Sequence, residues 1–189
     1  IHINELAAKV QPGQIWLKRV VAEMGGKDSI IVDKETDIDQ AVKGVVVSAF
    51  GFQGQKCSAC SRAIVDESIY DKFVEKLKVA VEQLTVGPAE ENYPMGPVAS
   101  ESAKKSIMEY IEIGKREGKL LTGGELVEGN GHYIQPTVFI DIDPMARISQ
   151  EEIFGPVLAV IKSKNFDESI QICNNTIYGL TGSVYTRNR

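Results

Sequence analysis

Cysteine and histidine are scarce in this sequence. Its 189 residues hold three cysteines and two histidines. Cys57, Cys60 and Cys173 cannot all pair with one another, which excludes a disulfide framework and points to a reducing, cytoplasmic setting. A zinc site needs about four Cys or His ligands. Cys57 and Cys60 could add only Cys173 and the widely separated His2 and His132, so no metal is expected. Basic residues are also short: 21 against 26 acids leave a net charge of −5. That removes the basic footprint of a nucleic-acid binder. No apolar run approaches the length of a bilayer span and the first residues lack a signal-peptide pattern, so no membrane partner is expected. Internal repeats, low-complexity tracts and long linkers are absent as well.

What remains is an ordinary globular composition, 43% hydrophobic and 25% charged, with length enough for one good-sized core. The chain opens at Ile1 without an initiator Met and closes at Arg189 just past a strand-like run. A piece of a longer protein is therefore expected.

Short β-branched runs alternate with amphipathic helical ones. Residues 3–10 read as a helix. Gln14–Glu23 and Ser29–Val32 read as strands. Ile38, Ala41, Val42, Val45, Val46, Ala49 and Phe50 recur at helical spacing, with Thr36 as the expected N-cap. Arg62–Asp66 reads as a strand, and Ser68 as the cap of a helix that buries Phe73, Val74, Leu77, Val81 and Leu84. A further helix runs over Ser100–Glu117 and stops at Gly118, before a strand at Lys119–Thr122. Residues 123–131 form a turn-rich excursion. Thr137–Ile140, Val157–Lys162 and Leu180–Thr186 read as strands, and Asn165–Asn174 as a helix opened by a capping box. The alternation predicts an α/β fold, three layers with a mostly parallel sheet. Working loops are expected at the C-terminal ends of its strands.

Three segments could carry chemistry. In Phe50-Gly-Phe-Gln-Gly-Gln-Lys-Cys57-Ser-Ala-Cys60, a helix ends in a glycine-rich loop that holds a cysteine. A cysteine attacks as the thiolate, which the adjacent Lys56 favours, while Gly51 and Gly54 let backbone bend close to a substrate. The competing readings are an inert core thiol and a Cys57–Cys60 redox pair. The redox pair is disfavoured because a strand follows the motif where a helix should. In Glu23-Met-Gly-Gly-Lys27 a carboxylate at the end of an apolar strand could act as a general base, its pKa raised by its neighbours. A surface acid beside a turn is the plainer reading. In Glu151-Glu152-Ile-Phe154-Gly-Pro156 an acid could bond ribose hydroxyls and an aromatic could pack on a flat ring. The plainer reading is a helix end leading into a strand.

Taken together and in this order, the three segments resemble the motifs of the aldehyde dehydrogenase superfamily. The likeness extends over essentially the whole chain. Met24 stands where many members carry Leu. The stretches 7–27, 57–62 and 178–182 are most similar to the bacterial branch that oxidises glutamate γ-semialdehyde in proline and arginine catabolism. The resemblance implies a division of the chain. Residues 1–22 would be a hinge and the end of a cofactor domain, and 23–189 a catalytic domain. It implies NAD, or NADP, as cofactor, an aldehyde substrate, and a homo-oligomer in the complete enzyme. It implies catalytic roles for Cys57, which attacks the aldehyde, and Glu23, which activates the water that releases the acid. Glu152 and Phe154 would hold the nicotinamide ribose and ring, and Ser58 the substrate carboxylate. A Cys57–Cys60 disulfide under oxidation is a further expectation. Another semialdehyde substrate, or a scaffold that keeps the fold without catalysis, are the alternatives.

Overall fold

The structure, a computed structural model, describes residues 1–188. After an exposed helix α1 (His2–Ala8), the elements are β1 (Asp28–Val32), α2 (Ile38–Phe50), β2 (Cys60–Asp66), α3 (Tyr70–Glu82), α4 (Glu101–Glu117), β3 (Lys119–Thr122), β4 (Thr137–Ile140), α5 (Arg147–Gln150), β5 (Val157–Ser163), α6 (Phe166–Asn174) and β6 (Gly182–Tyr185). The strands form one sheet in the order β3-β4-β5-β2-β1-β6. Every pairing is parallel except that of β3 with β4. The turn-rich stretch after β3 joins this antiparallel pair.

Successive side chains of a strand point to opposite faces, and here both faces are covered. Ile30, Val32, Ala63, Val65, Leu158 and Val160 meet α2 and α3 in one core. Ile31, Ile64, Ala159 and Ile161 meet α4, α5 and α6 in the other. The three-layer α/β expectation is therefore met.

Some local expectations give way. Gln14–Glu23 is not a strand; residues 9–27 hold no regular structure. A strand needs a neighbour for its backbone groups, and none of the described strands runs beside this segment. Its apolar side chains Ile15, Trp16, Leu17 and Val21 stand exposed. Asp37, not Thr36, caps α2, because its carboxylate accepts from the N–H groups of both Asp39 and Gln40. Ser68 does not cap α3. Its hydroxyl and its N–H both donate to Asp66, and the helix starts at Tyr70 without a side-chain cap. Ser100, expected as the first residue of its helix, is instead the cap of α4, and Asn165 caps α6 as expected. Glu168, however, closes onto the N–H of Lys164 rather than that of Asn165.

Candidate active site

The strand-to-helix connections after β1, β2 and β5 are short: residues 33–37, 67–69 and 164–165. The segments leading into the strands are longer, and they carry the motifs. Residues 51–59 enter β2, 23–27 enter β1, and 151–156 enter β5. Because β5, β2 and β1 are adjacent and parallel, the three segments meet at the N-terminal rim of the sheet. The expectation of working loops at the C-terminal rim is thus corrected. One consequence is electrostatic. α2 and α6 end at this rim and turn their carbonyl, negative ends towards it. α4 runs the other way, into the antiparallel β3, so it begins at this rim, where the Ala99 N–H just before it donates to Gln55 Oε1.

Cys57 lies half-buried in the turn that follows α2. Phe52, Gln53 and Gly54 all take left-handed backbone there and reverse the chain. Gly54 is required by contact as well as by φ: a Cβ would strike the carbonyl of Gly155. Gly51, expected to admit substrate, has an ordinary φ of −57°. A Cβ on it would meet only Lys56 Nζ, at 3.8 Å.

Gly25 and Gly26 bind the three segments together. A Cβ on Gly26 would fall well inside contact distance of the Cys57 carbonyl oxygen, and one on Gly25 inside that of the Glu152 carboxylate. The Gly26 N–H donates to Glu152 Oε1 at 2.9 Å. The remaining space is a cavity of about 20 Å³ whose lining includes Gly26, Lys56, Cys60, Glu152 and Phe154, room for a single water molecule. Phe154 has φ 55°, a left-handed conformation that costs a bulky residue ~1–2 kcal/mol. The residue is 47% exposed. Strain of this kind gathers at functional sites, where the surrounding structure holds it in place.

The other expected residues lie around this centre. Glu23 is exposed, three residues before Gly26, and is not at a strand end. Ser58 is exposed next to Cys57. Cys60 is buried in the α2 side of the core. Its thiol donates to the Arg62 carbonyl at 3.4 Å, and burial pushes its pKa up to about 12. A thiol so held does not ionise to attack Cys57, which argues against the disulfide. The three cysteines are free. Among the described residues no three His, Cys, Asp or Glu side chains gather as a metal site would need.

Two cations here escaped the sequence reading. Arg62 is 1% exposed and Lys27 2%. Lys27 Nζ has no hydrogen-bond partner in the structure, nor has Asp28 Oδ2. Both side chains line a cavity of about 290 Å³ with Arg62, Cys173, Tyr178 and Thr181. The available signal was a charge set against a strand buried on both faces, as in Lys27-Asp-Ser-Ile-Ile-Val.

Burial and then the Arg62 charge lower the Lys27 pKa to about 7, against the opposing pull of Glu152, Cys60 and Glu151. The unfolded chain holds this proton up to the ordinary value of 10.5, whereas the folded chain releases it near 7. Between those values the unfolded state binds more protons, so stability is expected to rise with pH, by at most about 1.4 kcal/mol per unit. Lys27→Met should denature at higher urea concentration at pH 7 and lose this rise. Parallel stability curves for variant and wild type from pH 7 to 10 would refute the assignment.

Fold and site together define a three-layer α/β protein with a cysteine, two glycines and a carboxylate interlocked at the entry to three parallel strands. Residues 2–189 match the profile of the aldehyde dehydrogenase family. The chain is 62% identical over 190 aligned positions to the 1-pyrroline-5-carboxylate dehydrogenase of Geobacillus sp. (strain WCH70), covering all of this chain and 37% of that protein. It is 56% identical to the Bacillus subtilis (strain 168) protein of the same name, of which it again covers 37%. A crystal structure of 1-pyrroline-5-carboxylate dehydrogenase from Thermus with bound NAD superposes with a TM-score of 0.94 at 54% identity, covering all of this chain and 36% of that one. This chain belongs to the aldehyde dehydrogenase family. It spans little more than a third of the length of these relatives.

Proposed function

We propose that the chain is the catalytic portion of an NAD-dependent aldehyde dehydrogenase that oxidises glutamate γ-semialdehyde, the open form of 1-pyrroline-5-carboxylate, to glutamate. The observation that carries this reading is the interlocking of the Cys57 and Glu152 segments through Gly25 and Gly26. The names of relatives up to 62% identical support the substrate, and the NAD bound to the Thermus relative supports the cofactor. In this reading residues 1–22 are a hinge and the end of a cofactor domain, and 23–189 the catalytic unit. Its last residue, Arg189, lies outside the described residues.

The residues at the rim fit one end of the cofactor. Glu152 uses Oε1 on Gly26, which leaves Oε2 to accept from ribose hydroxyls. Phe154 presents an exposed ring next to Gly155, which is packed between Gly54 and Ile107, a platform for a flat heterocycle. When bound, NAD supplies the hydride acceptor that allows an adduct on Cys57 to become a thioester.

The chain's own residues do the rest. The Cys57 thiolate attacks the aldehyde carbon, and sulfur is a soft nucleophile suited to an adduct that later expels hydride. The backbone N–H of Cys57 donates to the oxyanion that forms. Glu23 takes a proton from the water that cleaves the thioester. It leads directly into the glycine pair that seats Cys57, so both groups share one support. Ser58 donates to the substrate carboxylate from the next position along the chain.

The assignment is tested on the complete enzyme by following NADH formation with glutamate semialdehyde and with succinate semialdehyde. A kcat/KM at least ~10-fold higher for the first is expected, the range over which a pocket distinguishes carboxylate placement and chain length. Preference for the second would replace the substrate. Inertness towards all aldehydes would favour a scaffold. The complete enzyme is expected to be a cytoplasmic homo-oligomer, a setting supported by the free thiols and by the exposed Trp16, Leu17 and Val21, which suit a covered face. Among the described residues no helix is long and apolar enough to cross a membrane.

A further inference from the structure

The β1–β2 ladder slips just where the glycine pair enters the sheet. Asp28 faces Cys60 and Ser29 faces Arg62, so Ser61 has no residue opposite it. Such a bulge interrupts the ladder's hydrogen bonding, and side chains take over. Ser61 Oγ donates to the Asp28 carbonyl at 3.3 Å. Arg62 donates twice to the Lys27 carbonyl, from Nε at 3.0 Å and Nη2 at 2.8 Å. Its other hydrogen bonds go to the carbonyls of Ile172 and Cys173 in the last turn of α6, at 3.0 and 2.9 Å, and to Ser29 Oγ at 3.1 Å. A cation is favoured at a helix C-terminus.

A guanidinium buried on three backbone carbonyls and one hydroxyl, with no carboxylate hydrogen-bonded to it among the described residues, is a costly way to fill a core. An apolar side chain would pack there at less cost. What the guanidinium uniquely supplies is a rigid planar fork that ties its own strand β2 to the entry of β1 and to the end of α6 at once. The carbonyl it grips is that of Lys27, the residue immediately after Gly26. Gly26 in turn touches the Cys57 backbone and donates to Glu152.

We propose that Arg62 is a positioning residue for the site: by holding the Lys27 carbonyl, it keeps Gly25 and Gly26 seated against Cys57 and Glu152. The proposal deepens the dehydrogenase reading and rests on it for Cys57 as nucleophile and Glu152 as cofactor ligand. Lysine is a point donor without the fork, so it should preserve the charge and lose the seating.

The test uses the complete enzyme with Arg62→Lys and Ser29→Ala. Ser29→Ala removes one contact of the guanidinium while leaving every carbonyl in place, and it serves if Arg62→Lys does not fold. Three readouts are compared: thermal denaturation, the rate of Cys57 alkylation by iodoacetamide followed by peptide mass spectrometry, and kcat separately from the KM for NAD. For Arg62→Lys the proposal expects a folded protein whose Cys57 alkylation rate shifts ~5-fold or more. The KM for NAD should rise and kcat should fall ~10-fold, the scale of a sub-ångström displacement of reacting groups. Ser29→Ala should shift the same quantities about 2-fold in the same direction. Wild-type alkylation rate and NAD KM in every variant that folds would overturn the proposal, as would losses that only follow the folded fraction. Alkylation needs no turnover. If the wild-type enzyme oxidises no aldehyde, the functional reading fails, and the alkylation arm still decides whether Arg62 seats the Cys57 loop.

Discussion

Cys57→Ser in the complete enzyme is expected to reduce aldehyde oxidation at least ~10³-fold, the usual consequence of losing a nucleophile that no neighbour can replace. The hydroxyl is nearly isosteric, so folding and NAD affinity should stay close to wild type. What disappears is an ionisable sulfur at the rim. Cys60→Ser provides the internal comparison. Its thiol is buried and kept protonated, with a pKa near 12, so that variant should retain turnover within a few-fold. Measured kcat/KM for the two variants separates the thiols. A Cys57→Ser enzyme with more than a tenth of normal activity would remove Cys57 from the mechanism and favour the scaffold reading.

A single methyl group at position 26 should be almost as damaging. In Gly26→Ala the new Cβ meets the Cys57 carbonyl oxygen and crowds Asp28 Oδ2 at 2.7 Å. The first of these is backbone against backbone, with no flexible tip to move aside. The Cys57 turn and the β1 entry must separate by about 1 Å, a misplacement that costs ~10²-fold in rate. Overpacking adds about 1–3 kcal/mol of destabilisation. Loss of kcat/KM should therefore exceed what the fall in denaturation midpoint explains. Gly51→Ala is the contrast, from the same loop system. Its φ is ordinary and its surroundings open, so it should be neutral or more stable by up to about 1 kcal/mol. Equal activity in Gly26→Ala and Gly51→Ala would show that the close approach of Gly26 does not matter for turnover.

These two glycines show where reading a sequence stops. Gly51, Gly54 and Gly26 look alike as letters in glycine-rich turns. Which of them is irreplaceable depends on what lies opposite, and the opposing backbone comes from residues distant in the chain. The same limit explains Gln14–Glu23. Its residues are those of a strand, but a strand is a relation between two segments, and none of the described strands stands beside it. The caps of α2 and α3 went astray for a more local reason. At α2 the Asp37 carboxylate takes the place of Thr36; at α3 the Asp66 carboxylate engages Ser68 itself, and no side chain caps the helix.

By contrast, the helices α2, α4 and α6 and the strands β1 to β5 were legible to within a residue or two. A buried stripe at helical spacing, or a β-branched run, is a property of consecutive side chains. So were the α/β class and the three chemical segments, with Cys57, Glu23 and Glu152 named from them. The sequence alone thus determined the elements, the family likeness and the candidate reactive groups, because each is written in residues close together along the chain. Only the tertiary structure decided that the segments meet at the N-terminal rim, that Glu23 stands in solvent, and that Lys27 and Arg62 are buried beneath the site. Those facts depend on which strands become neighbours and on the packing that excludes water between them. No stretch of the sequence carries that information by itself.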